Sequence, residues 1–146
     1  TKKLMELERR ARRAGASQCL KAKEITTATA QDFANVADRL LIDAPCSGLG
    51  TLKRQPDLKW RLKPAQLVRL RGIQSELLDN YTAMLKPGGR LVYATCSILP
   101  SENRAAIDRL LEKGGFTLQS ESIVSPAITG YDGFYAAALV KNLPVG

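Results

Sequence analysis

"LLIDAPCSGLG", residues 40–50, runs from an apolar stretch straight into an acid, a proline, a cysteine and two glycines. Residues 39–44 have the length and near-continuous hydrophobicity of a parallel strand covered on both faces. Packing alone gives such a strand no reason to end on a carboxylate and a thiol. The pattern returns in "GRLVYATCSILP", residues 89–100, where a second apolar strand (90–95) ends on Cys96. Each residue has an ordinary reading taken singly: Asp43 as a cap for the next turn, Pro45, Gly48 and Gly50 as loop formers, a lone cysteine as a small buried apolar group. Two strand ends that both carry a cysteine followed by serine argue instead for one shared site.

The rest of the chain supplies the setting. Residues 1–14 space Leu4, Leu7, Ala11 and Ala14 as one helix face with a basic outer side, and Gly15 stops it. Because that pattern starts at Thr1 without a cap, the sequence reads as cut from something longer. Residues 19–26 (CLKAKEIT) are expected as a short strand, with Cys19 structural and buried, and 30–37 as a weak helix or turn. Pro64 opens a long helix over 64–85, with Leu67, Leu70, Leu77, Leu78, Tyr81 and Leu85 facing the core, and "KPGG" ends it. Ser101 is the expected N-cap of the next helix, with Glu102 in its first turn and Ile107, Leu110 and Leu111 inward as far as Gly114 and Gly115. Strands near 116–121 and 133–141 close the chain as an antiparallel pair at the sheet edge. This alternation argues an α/β layered sheet in one compact unit, with ligands binding beyond the carboxyl ends of the strands, where Asp43, Cys46 and Cys96 fall.

Composition narrows the chemistry. The 146 residues carry 22 Lys and Arg against 14 Asp and Glu, a net charge of +8, which favours a polyanionic partner such as nucleic acid. With no histidine and three cysteines outside any CxxC spacing, neither an ordinary zinc site nor a Ser-His or Cys-His pair can be built, so no metal is expected. No apolar run approaches the ~18 residues of a membrane span, and no secretory signal is read, so the expectation is a cytoplasmic protein.

"DAPCSGLGTLKRQPDLKW", then "LKPGGRLVYATCSILPSEN", then "DGFYAAALVK" resemble the RNA cytosine-C5 methyltransferases of the RsmB/NOL1/NOP2/Sun family over most of residues 38–141. The resemblance implies a Rossmann-like class I methyltransferase sheet of which residues 1–146 are a C-terminal portion, a partial domain without the first strands. It implies S-adenosylmethionine as cofactor and RNA, ribosomal or transfer, as partner. It makes Cys96 the nucleophile, gives Cys46 a part in product release, and sets Asp43 against both the methyl donor and the target base, with Pro45 beside the donor. The family's Gly-rich donor motif is not found here, and for its further acid the nearest candidate is Glu24, then Asp32. The isolated chain is therefore expected to bind the donor poorly and to be inactive.

The residue types suit that chemistry on their own terms. Carbon 5 of cytosine is a poor nucleophile until a thiolate adds to carbon 6 and turns the ring into an enamine. An acid against the ring's N3 edge relieves the charge that develops. With histidine absent, a second cysteine is the available base for the carbon 5 proton. In the segment 53–63 (KRQPDLKWRLK), one reading is a solvated loop with Trp60 docked in the core. The other has Lys53, Arg54 and Lys59 on RNA phosphates. Two further functions stay open: a DNA cytosine-C5 methyltransferase, in which Cys46 is the nucleophile and the second motif loses its role, and a nucleic-acid-binding module without catalysis.

Overall fold

The computed structural model describes residues 2–26 and 28–144. Helix α1 (Lys2–Arg13) opens the chain as the spacing of Leu4, Leu7 and Ala11 requires; Thr1, the first residue of the expected helix, lies outside the described residues. Four strands follow, β1 (Ala37–Asp43), β2 (Leu85–Thr95), β3 (Phe116–Val124) and β4 (Phe134–Lys141), in the sheet order β1-β2-β4-β3. Between them run α2 (Leu58–Arg61), α3 (Pro64–Tyr81), α4 (Arg104–Glu112) and α5 (Pro126–Thr129). β1 and β2 pair in parallel, whereas β4 is antiparallel to both β2 and β3, so the expected antiparallel edge pair is β3 with β4.

Parallel pairing sets Leu40 beside Leu91, Ile42 beside Tyr93 and Asp43 beside Ala94. Since side chains alternate along a strand, one face of the sheet collects Ile42, Leu91, Tyr93, Tyr135, Ala137 and Leu139, all buried. Against this face pack Leu78 of α3 and Ala106, Ile107 and Leu110 of α4. The Tyr93 and Tyr135 rings meet edge to face, with centroids 6.5 Å apart. Among the described residues no helix is long and apolar enough to cross a membrane.

Five local expectations need correction. Residues 19–26 form no strand: a 3-10 turn over Ser17–Cys19 leads into irregular chain, and the Ile25 carbonyl takes its hydrogen bond from the Tyr81 hydroxyl (2.7 Å) instead of from a neighbouring strand. Cys19 is exposed, not buried. β1 is covered on one face only, because α3 and α4 lie on the same side of the sheet; Ile42 is buried while Leu41 is 67% exposed. The helix after the second motif begins at Arg104 with Asn103 in the cap position, since Ser101 to Asn103 form a turn that sends the Glu102 side chain inward. The "KPGG" segment is part of β2, where pairing with β1 breaks after Leu85 and resumes at Arg90.

Leu91 lies under both helices at the middle of the sheet with no exposure. Leu91→Ala should lower unfolding stability by about 2–5 kcal/mol, measured by urea denaturation; a loss under about 1 kcal/mol would place the core elsewhere.

Candidate active site

The two cysteine motifs meet because their strands are neighbours in register. Ala44 continues the ladder with its N–H on the Ala94 carbonyl (2.9 Å), so both chains leave the sheet at the same level. Two residues further along each chain, Cys46 Sγ and Cys96 Sγ stand 3.4 Å apart, both half-buried and both free thiols. Burial pushes the Cys46 thiol up to about 12, the Gly48 amide pulls it the other way, and the hydrogen bond and charge of the adjacent Cys96 sulfur push it up again. At neutral pH Cys46 is therefore a protonated thiol.

Beneath the sulfurs lies a polar network centred on Glu102, which is fully buried. Its carboxylate accepts four hydrogen bonds: from the Ser47 N–H (2.9 Å), the Ser47 hydroxyl (2.5 Å), the Ser97 hydroxyl (2.5 Å) and the Gln74 amide (3.1 Å). The serines that follow the two cysteines are thus tied to one anion, and their oxygens lie 3.1 Å apart. Gln74 also donates to the Pro45 carbonyl (2.9 Å), Thr95 donates to Asn103 Oδ1 (2.6 Å), and Asn103 donates to the Ser97 carbonyl (2.9 Å). The Tyr93 hydroxyl donates to the Glu102 carbonyl (2.8 Å), and burial raises its pKa so that it stays a neutral donor. Sequence reasoning took Glu102 for a first-turn helix acid; the available signal was its place in "TCSILPSEN", six residues after Cys96.

A third segment closes over Cys96. The Gly50 N–H donates to the Cys96 carbonyl (2.9 Å) and the Gly133 N–H to the Gly50 carbonyl (2.7 Å). A Cβ on Gly50 would stand 2.1 Å from the Gly133 oxygen and 2.8 Å from the Cys96 oxygen, so only glycine fits this crossing. Beyond it Lys53 donates to the Gly130 carbonyl (3.0 Å), and Arg54 pairs with Asp132 (2.5 Å) through Nε and Nη2.

Asp43 and Pro45 are exposed at the carboxyl end of β1, the end from which the Cys46 loop leaves the sheet. Glu24 does not join them: Ile25, the next residue, is held at the C-terminus of α3, by the amino ends of the strands. Lys59 is exposed on α2, and so is Trp60, which the core reading had buried. A cavity of about 330 Å³ opens beside Cys46 and Ser47, walled by Leu58, Arg61 and Leu62 of the α2 segment and by Gln66 and Leu70 of α3. Among the described residues no cluster of His, Cys, Asp or Glu could hold a metal ion.

An α/β sheet with this edge pair and its polar site at the strand ends is a Rossmann-like sheet of the class I methyltransferases. The crystal structure of NSun6 from Pyrococcus horikoshii with SFG superposes with a TM-score of 0.83 at 24% identity, over 94% of this chain and 38% of that one. The crystal structure of PH0851 gives 0.71 at 35% identity, over 74% and 27%. The family model for the 16S rRNA methyltransferase RsmB/F matches residues 1–140, and the chain belongs to that family. Ribosomal RNA small subunit methyltransferase B of Erwinia tasmaniensis is 44% identical over 114 residues, and that of Vibrio cholerae 43% over 112, each alignment taking in 72% of this chain. The chain spans about a quarter of the length of these curated relatives, 26% in both cases.

Glu102→Gln puts an amide donor in place of one carboxylate oxygen, each of which accepts from two donors, and should cost roughly 3 kcal/mol of stability, read by urea denaturation; an unchanged midpoint would mean that the network does not hold the two loops. The sulfur contact makes a second statement. One equivalent of hydrogen peroxide, taking both thiol hydrogens into two waters, should join Cys46 to Cys96 ahead of any pairing with Cys19. Peptide mapping by mass spectrometry reads the linkage, and a dominant Cys19 crosslink would contradict this geometry.

Proposed function

We propose that the parent protein methylates carbon 5 of a cytosine in RNA through a covalent adduct with Cys96, and that these 146 residues are the C-terminal part of its catalytic domain. The observation that carries this reading is the pair of thiols at the ends of neighbouring parallel strands, 3.4 Å apart. Membership of the RsmB/F family supports methyl transfer, and the names of its relatives support ribosomal RNA as the substrate.

S-adenosylmethionine, when bound, supplies an electrophilic methyl on its sulfonium. The exposed Asp43 and Pro45 suit that ligand, since a carboxylate accepts from amino and hydroxyl groups and a proline face packs on an aromatic ring. Glu24, at the other end of the sheet, stands outside this assignment. The Cys96 sulfur adds to carbon 6, and the ring's electrons move toward N3, where Asp43 shares a proton with the base. Carbon 5 takes the methyl and still bears its hydrogen. Removal of that proton returns the electron pair to the ring and expels the Cys96 sulfur.

The order of protonation favours Cys46 for the last step. While Cys96 is free, its charge and hydrogen bond help to keep the Cys46 proton in place. Once the Cys96 sulfur is bonded to carbon it carries no charge, so that contribution disappears and only burial still opposes loss of the proton. The Cys46 pKa therefore falls once the adduct has formed, so that its proton passes more readily to water and the thiolate left behind can take the carbon 5 proton. Lys59 and Lys53 are assigned to phosphate, and Arg54 can reach phosphate with the Nη1 that Asp132 leaves open.

In the parent enzyme Cys96→Ala should abolish methylation and all covalent RNA, whereas Cys46→Ala should let the adduct accumulate. Denaturing gels with labelled RNA separate the two. Loss of the adduct in Cys46→Ala with its retention in Cys96→Ala would reverse the roles and favour the DNA-type arrangement.

A further inference from the structure

Helix α2 stands between the cavity at Cys46 and solvent. Its Leu58 and Arg61, with Leu62, wall that cavity, whereas Trp60, on the same single turn, is 81% exposed. It is the only tryptophan of the chain. Lys59 Nζ lies 5.1 Å from the centre of its ring, and Arg61 is ion-paired with Asp57 at 2.9 Å. The surrounding stretch of sequence, residues 53–63, carries five basic residues against one acid, Asp57. Single exposed apolar residues are ordinary on protein surfaces. This one differs in being a large flat ring with a lysine against it, on the turn that walls the cavity at Cys46.

We propose that Trp60 is a stacking platform for an unpaired RNA base next to the target cytosine, with Lys59 and Arg61 on the flanking phosphates. The inference rests on the reading of the site as an RNA cytosine methyltransferase and adds to it the form of the substrate, which is single-stranded at the modified position. A nucleobase offers a π face to the indole whatever its identity, and its phosphates meet the neighbouring cations. Cytosine inside a duplex hides carbon 6 from Cys96, so the target has to leave its stack. A ring that receives the adjacent base recovers part of the stacking lost. A purely structural Trp60 has no such partner, and its removal leaves RNA binding unchanged.

Because Trp60 is the sole tryptophan, its emission reports directly on its own face. The 146-residue chain should show saturable quenching with a short oligocytidylate, and little with an abasic ribose-phosphate oligomer of equal charge or with a blunt RNA duplex. By anisotropy of a labelled oligocytidylate, Trp60→Ala should weaken binding by roughly 5- to 150-fold and Trp60→Phe should recover most of it. Equal quenching by the abasic oligomer, absence of quenching by any RNA, or unchanged affinity in Trp60→Ala would each overturn the platform. The test separates this inference from the chemistry beneath it. Quenching and a Trp60→Ala defect without any Cys96 adduct in the parent enzyme would sink the methylation mechanism and leave the platform standing. An adduct forming in Trp60→Ala with the wild-type RNA dependence would sink the platform alone.

Discussion

A buried carboxylate that has to be satisfied is the constraint on which the site depends. Glu102 sits under both cysteine loops, and taking an anion out of water is costly unless hydrogen bonds replace hydration. Its four donors come from the loop after β1, the loop after β2 and helix α3. Satisfying one charge therefore closes three segments around a point, and the sulfurs ride on the serines that do it. The Gly50 and Gly133 crossing acts on the same loops from above, through the Cys96 carbonyl. The thiols owe their separation to these polar contacts more than to any contact with each other.

The strand ends were legible because their signals are local. An apolar run followed by Asp-Ala-Pro-Cys or Ala-Thr-Cys announces itself within a dozen residues, and one intervening helix implies neighbouring parallel strands. Glu102 was read as a helix acid because its partners Ser47 and Gln74 lie 55 and 28 residues away, beyond any periodicity. Trp60 failed for a related reason. Hydrophobicity says that a ring gains by burial, but only the path of a short helix says whether a core is within reach. Cys19 and the missing strand at 19–26 show the same limit: a strand exists when a ladder partner stands beside it, and the segment's composition contains no information about that partner.

The site divides into a rigid and an open half. Behind the sulfurs the network is buried and, Gln74 Oε1 apart, its polar side-chain atoms are bonded, which fixes geometry at the scale that the proposed bond to carbon 6 demands. In front of them the α2 segment is short, basic and exposed, held by an ion pair within its own turn. On the proposed reading, reaction geometry and substrate capture rest on different physics, one on hydrogen bonds in low dielectric and the other on screened charge and an aromatic surface. A change in one half leaves the other largely intact.

β1 has an outer edge without a strand partner among the described residues, and Leu41 stands uncovered on the face away from α3 and α4. Unpaired edges are templates for the same edge on another copy. What keeps two copies apart is their shared charge of +8, whose reach is about 8 Å at physiological salt and shrinks as salt is added. The colloidal behaviour of this chain is accordingly tied to ionic strength, since added salt screens the charge that holds two such edges apart.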